Sequence, residues 1–368
     1  MPLKLKLLVF LLIISKISFA QTGNNKIEFT AIEGVKVFAP NDYSIQGQAW
    51  GAELGYHFDM TNNHLDYLRL LGIKAIDIVG SYRNMQALTI NHSPSSKDSL
   101  GNVYSVIGRL EIQFAKIGQS KILFTPGIGV AYSTVSFFTN KNPLVGSHLN
   151  LALQAGVKIV TPISSSTSIQ AGADLFHYSD AATRTPNDGV NALNFTLGIV
   201  QSLDRASPST PANPFEYTAK YAYEVAFDFG ERGAYDSRNN LYRSGLYLGF
   251  SDGLNKVFRL KAGLDFDYYF TTYIDAADRS PTYEALGNSF ARIRAGISVG
   301  ADMNMGRLTV MASYGYYYYF QTDNGVYFYW IPGLKYYILP WMALQGKVYI
   351  HGHQADYLGV GLAFRIRK

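Results

Sequence analysis

The 368-residue sequence has no cysteine. That excludes a disulfide framework, a lipid-modified cysteine behind a leader and any thiolate metal site. Charge is also scarce, at 16% of residues. Past the first twenty residues no apolar run is long enough for a transmembrane helix. The N-terminus carries Lys4 and Lys6, an apolar run from Leu7 to Ile14, and Ser18-Phe19-Ala20 before Gln21. This reads as a secretory signal over residues 1–20, too short to serve as a membrane span. Its removal takes away Lys4, Lys6 and Lys16 and no acid, so the net charge falls from +5 to +2. A chain so near neutral argues against a nucleic-acid partner. What the sequence does have is 28 Tyr, 22 Phe and 34 Gly. That composition is foreign to a helical soluble enzyme and suits a sheet protein with an apolar belt and two wet ends.

Alternation with a period of two runs from about residue 27 to the end. Trp50, Ala52, Leu54, Tyr56 and Phe58 alternate with Gly51, Glu53, Gly55, His57 and Asp59. Tyr221, Tyr223, Val225, Phe227 and Phe229 alternate with Ala222, Glu224, Ala226 and Asp228, and Leu358 to Ile366 closes the chain in the same way. Long strands with one aromatic and apolar face, behind a leader, predict an all-β fold: an antiparallel transmembrane β-barrel of the outer membrane of a Gram-negative cell. The count is about sixteen strands, even as bacterial barrels require. Short turns at Thr61–Asn63, Ile117–Gln119 and Ser164–Ser166 follow even strands, and longer stretches at 84–101, 139–146 and 272–287 follow odd ones. Pro208, Pro211 and Pro214 mark a linker over 204–214 between halves at 21–203 and 215–368. Eight strands already close a small barrel. One barrel of about sixteen strands or two of eight both fit, and the single barrel is favoured because side-by-side barrels in one chain are uncommon.

The chemistry concentrates in Phe176-His177-Tyr178-Ser179-Asp180 and Pro186-Asn187-Asp188-Gly189-Val190-Asn191. Residues two apart on a strand share a face. His177 and Ser179 therefore continue the apolar stripe Ile169, Ala171, Ala173, Leu175. The next strand sets Asn191 at the head of the apolar stripe Leu193, Phe195, Leu197, Ile199, at the same rim. A serine needs an adjacent base to act as a nucleophile, and that base needs a third group to fix its tautomer. Such a set on a greasy outer face makes sense for a lipid substrate. The loop between these strands follows the seventh strand, which puts the site at the cell exterior.

These two segments resemble the signature of the outer-membrane lipid A 3-O-deacylase (PagL-like acyloxyacyl hydrolase) family, and Asn142–Asn150 resembles the loop and strand start that precede it. The resemblance covers about residues 27–203. It implies hydrolysis of an ester-linked acyl chain of lipid A, with lipopolysaccharide as the partner and no cofactor or metal. Ser179 falls on the nucleophile, His177 on the general base and Asn191 on the catalytic acid, which is a glutamate in the family. Asp180 stands where the family has an asparagine that helps form the oxyanion hole. Ala182 stands where relatives tend to use glycine for a backbone N–H donor. An ionised Asp180 would repel the developing oxyanion, and Asn191 cannot stabilise imidazolium by charge. Asp180 or Asp188 is a candidate substitute for the missing acid.

Blander readings stand beside these. Pro186-Asn187-Asp188-Gly189 alone is an ordinary turn. A rim histidine can serve only as a headgroup-level hydrogen-bonding group. His351-Gly352-His353 resembles a metal pair but lacks a third ligand. The run Tyr316–Tyr319 reads as an interface girdle. Arg292 and Arg294 are expected to meet Glu224, Asp228, Asp265 or Asp267 inside the barrel. The rival function is a non-catalytic barrel, either a porin-like channel or a lipopolysaccharide-binding protein that retains a decayed site.

Overall fold

A computed structural model describes residues 24–367 apart from 40–42, 62, 64, 94–95, 207–218, 271, 276–280, 285–291, 321–326 and 353. The expected leader, Pro208, Pro211 and Pro214 of the expected linker, and His353 lie outside the described residues. Eight strands close a first barrel: β1 (Asn24–Phe38), β2 (Ala49–Asp59), β3 (Ile73–Asn84), β4 (Asn102–Ile117), β5 (Ser120–Ser133), β6 (Leu149–Pro162), β7 (Thr167–Ser179) and β8 (Val190–Ala206). Eight more close a second: β9 (Tyr221–Gly233), β10 (Asn240–Gly253), β11 (Phe258–Tyr269), β12 (Ile293–Met305), β13 (Leu308–Tyr319), β14 (Phe328–Leu339), β15 (Met342–His351) and β16 (Gln354–Arg367). All neighbours within the barrels pair antiparallel, β1 sealing against β8 and β9 against β16.

The chain thus forms two barrels of eight strands, not the single large one favoured from the sequence. The reason lies in the interior. Eight strands leave a lumen just wide enough for side chains to fill. In the first barrel Arg109 on β4 reaches Glu28 on β1 (3.0 Å), Glu53 on β2 (3.2 Å) and Asp77 on β3 (3.1 Å). Lys158 on β6 crosses to the same Glu28 at 2.9 Å and to Glu111 at 2.7 Å. In the second, Arg243 and Lys347 hold Asp228 at 2.7 and 2.9 Å, and Lys335 holds Glu224 at 2.6 Å. Charges buried away from water need such partners. A sheet of sixteen strands would carry these groups out of one another's reach. Of the acids expected to meet Arg292 and Arg294, Glu224, Asp228 and Asp267 pair with Lys335, Lys347 and Arg243, Asp265 accepts from Tyr329 Oη at 2.7 Å, and Arg294 lies over the Tyr269 ring at 4.2 Å. These side chains meet across both lumens.

The outer faces are apolar as the alternation requires. Leu54, Phe195, Leu197, Phe227, Val299 and Val360 are all more than half exposed. The tyrosine run obeys the same alternation: Tyr316 and Tyr318 face outward, but Tyr317 is buried inside and stacks on Tyr329. It is therefore a girdle on one side of the strand only.

Loop lengths follow strand parity. Even strands β4, β6, β12 and β14 end in connections of two to four residues, whereas odd strands β3, β5 and β11 are followed by 85–101, 134–148 and 270–292. One short turn was misjudged. The connection after β2 continues past Thr61–Asn63 into a helix at Asp66–Leu70, seated by Leu68 against Met60 and Ile73. At the long-loop end of the first barrel, Phe176, Tyr178, Val190, Leu144, Val145 and Leu100 form a dry core that fixes the rims of β7 and β8.

Candidate active site

The antiparallel register sets His177 on β7 directly opposite Asn191 on β8. His177 Nδ1 lies 3.0 Å from Asn191 Oδ1, and Nε2 lies 3.0 Å from Ser179 Oγ. An amide oxygen only accepts, so Nδ1 carries the hydrogen and Nε2 offers its lone pair to the serine hydroxyl. A hydroxyl, a base and an orienting group are thereby linked in one chain, with the geometry that nucleophilic catalysis requires. Both ring nitrogens are occupied. Asp180 and Asp188 are therefore not in the acid's place, which belongs to Asn191.

The strands run here because Phe176 and Tyr178 point into the dry core while Leu175, His177 and Ser179 take the opposite face. Below the three polar groups the outer surface is Leu153, Leu175, Leu193 and Phe195, each at least 40% exposed. The site thus stands at the top of a hydrocarbon-facing wall.

The loop over the site is tied down by its own backbone. Gly189 N–H donates to Leu144 O (2.9 Å) and Asp188 N–H to Pro143 O (3.2 Å). Asn187 Oδ1 accepts from Gly146 N–H (3.2 Å) and Asp180 N–H (3.5 Å). Gly189 has φ +78°, and a Cβ there would stand 2.8 Å from His177 Cε1. The glycine of the turn motif is therefore demanded twice, by backbone conformation and by the imidazole beneath it. Pro186 is buried at the start of the same turn.

Ala181 and Ala182 are buried with φ +53° and +63°. For a residue with a Cβ this conformation costs about 1–2 kcal/mol. Glycine at the second position would relieve that strain.

The Asp180 side chain turns inward, 3% exposed, with neither oxygen in a hydrogen bond of good geometry. Burial pushes its carboxyl up to about 7, opposed by the N–H of Arg184, the Ser147 hydroxyl and, more weakly, the N–H of Ala182. Raised in the folded protein, this group favours folding fully below about pH 4, where it is protonated in both states. That contribution is lost as pH rises toward 7. Asp180→Asn should therefore stabilise the protein at pH 8 against thermal unfolding in detergent, with the gain vanishing near pH 4. An equal gain at both pH values would contradict the assignment.

Donor atoms of Glu28, His57 and Glu111 lie within 4.8 Å of one another inside the first barrel, as a metal site would need. Lys158 and Arg109 already occupy those carboxylates, so the protein's own cations answer the charge. His351 of the other histidine pair bonds Tyr317 Oη (3.2 Å) and Asp356 (3.2 Å).

The sequence carried no sign that the second barrel reaches this loop. Gly233 N–H, at the end of β9, donates to Ala182 O at 2.7 Å, and Thr185 Oγ1 donates to Gly233 O at 2.9 Å. Arg184 Nη1 bonds Asn240 Oδ1 at the start of β10.

Comparison with known proteins bears on both barrels. No curated protein matches the chain. Among solved structures, the outer membrane enzyme PagL is similar at 20% identity over 46% of this chain and 97% of that one, with a TM-score of 0.31. Neisserial surface protein A is similar at 9% identity over 49% of this chain and 99% of that one, with a TM-score of 0.32. Residues 44–200 match the family model described as lipid A 3-O-deacylase (PagL). Residues 220–368 match the acyloxyacyl hydrolase C-terminal domain. The two matches run through both barrels, and the protein belongs to the lipid A 3-O-deacylase (PagL-like acyloxyacyl hydrolase) family.

Proposed function

We propose that this protein is an outer-membrane serine esterase that removes an ester-linked acyl chain from lipid A. The observation that carries this reading is the chain Ser179–His177–Asn191, with both links at 3.0 Å, on the hydrocarbon-facing side of the rim. Ser179 Oγ attacks the ester carbonyl and passes its proton to His177 Nε2. The tetrahedral oxyanion is met by a backbone N–H near Ala182. Collapse expels the sugar hydroxyl, which takes the proton back from His177 and leaves Ser179 acylated. Water, deprotonated by the same nitrogen, then frees the fatty acid. Asn191 orients the ring throughout.

The site stands at the long-loop end of the first barrel, opposite the end where β1 begins and β8 finishes. With the chain ends in the periplasm, as in single-chain barrels, it faces the exterior and the outer-leaflet lipopolysaccharide. An ester whose acyl chains lie along Leu175, Leu193 and Phe195 would present its carbonyl at this height.

The test is mass spectrometry of lipid A from cells with and without the protein. Loss of one hydroxyacyl chain is the expected result. Unchanged lipid A, with both barrels folded in the outer membrane, would sink the reading and leave lipopolysaccharide binding by a decayed site as its successor.

A further inference from the structure

The reaction as proposed uses only the first barrel, yet the second makes close contacts with the one loop on which the oxyanion depends. Ala182 is three residues from Ser179, and its carbonyl accepts the Gly233 N–H at 2.7 Å. Thr185 is bonded twice, through its hydroxyl to Gly233 O (2.9 Å) and through its carbonyl from Asp236 N–H (3.1 Å). Arg184 is anchored on Asn240. A Cβ on Gly233 would come within 2.5 Å of Arg184 Cα and 2.8 Å of Thr185 N, so only glycine lets β9 approach this closely. The segment so gripped contains the two alanines in left-handed conformation, which a free loop would tend to abandon.

The barrels also meet away from this loop. At the opposite end Lys256 pairs with Asp66 at 2.8 Å, and Met305 packs on the cluster around Leu68.

We infer that the second barrel is a positioning element for the esterase site: Gly233 and Asn240 hold residues 181–185 beside Ser179, so that the backbone donor near Ala182 is in place when the oxyanion forms. This rests on the esterase reading given above. Gly233 and Asn240 touch no substrate and act through the loop.

The test uses the full chain. Because the protein has no cysteine, a single Thr183→Cys carries a spin label that reports loop mobility. Turnover is measured on purified lipid A in detergent, and folding of both barrels by heat-modifiable gel migration. Gly233→Leu should mobilise the label and lower kcat by about 10–100-fold, short of the full 10²–10³ of a lost oxyanion donor, with KM unchanged. Asn240→Ala should shift both readouts the same way to a smaller extent, and it decides the matter if Gly233→Leu fails to fold. An immobile label, or an unchanged kcat in a variant whose label has become mobile, would overturn the inference. A wild-type protein without turnover would sink the esterase reading instead, and label mobility alone would then decide whether the second barrel grips the loop.

Discussion

Asn191→Glu is expected to raise the rate of lipid A ester hydrolysis at neutral pH by about 10²–10⁴-fold. In the proposed mechanism Asn191 does half of an acid's work. Its carbonyl oxygen, 3.0 Å from His177 Nδ1, selects the tautomer that leaves Nε2 free for Ser179. What it lacks is charge. When Nε2 takes the serine proton the ring becomes imidazolium, and a neutral amide stabilises that cation far less than a carboxylate does. In trypsin, exchanging the triad aspartate for asparagine costs about 10⁴ in rate, part of it through the wrong tautomer. Here the tautomer is already correct, so the gain lies at or below that value. Glutamate adds one methylene, and position 191 is half-buried at the outward-facing rim. The measurement is kcat/KM for wild type and variant, with Asn191→Gln as the control for length without charge. A gain shared equally by both variants would show that reach, not charge, was limiting. No gain in either, with the barrel folded, would remove Asn191 from the catalytic chain.

The fold class was legible because a β-barrel writes its two faces directly into the sequence. Glu53, Glu224 and Asp228 alternate with Leu54, Tyr223 and Phe227, and each stands on the side that its parity assigned. The pairing of His177 with Ser179 followed from the same rule. The pairing with Asn191 needed the register as well, and there the shared rim was enough. Barrel number was not legible. Whether Lys158 meets Glu28 across a narrow lumen depends on which strands close, and alternation is identical in a barrel of eight or sixteen. Nor could the sequence show Gly233 against Ala182: they lie 51 positions apart, and a glycine ending a strand is unremarkable until another backbone is seen against it. The direction of the Asp180 side chain was missed for a related reason. Its place beside Ser179 suggested a charge at the oxyanion, but strand parity continued one residue further turns its side chain inward, beside Gly146 and Ser147.

Ser179→Ala should abolish deacylation, lowering kcat by at least about 10⁴-fold. His177 Nε2 would then face a methyl group, and no covalent intermediate could form. The expectation is sharper than simple loss. Residues that act as one unit are non-additive, so His177→Ala should cost nearly as much, and the double variant little more than either single one. Ser179 forms no part of the dry core behind the rim, which is built from Phe176, Tyr178 and Val190, so the variant should fold and insert as the wild type does. A fluorophosphonate probe gives an independent reading. It should label the wild-type protein at Ser179 and leave Ser179→Ala unlabelled. His177→Ala should label slowly, because the hydroxyl then keeps its proton. If Ser179→Ala retained turnover, the nucleophile would have to be an activated water. The paired roles of His177 and Asn191 would then be those of a general base and its anchor, and the two single variants would no longer cost the same.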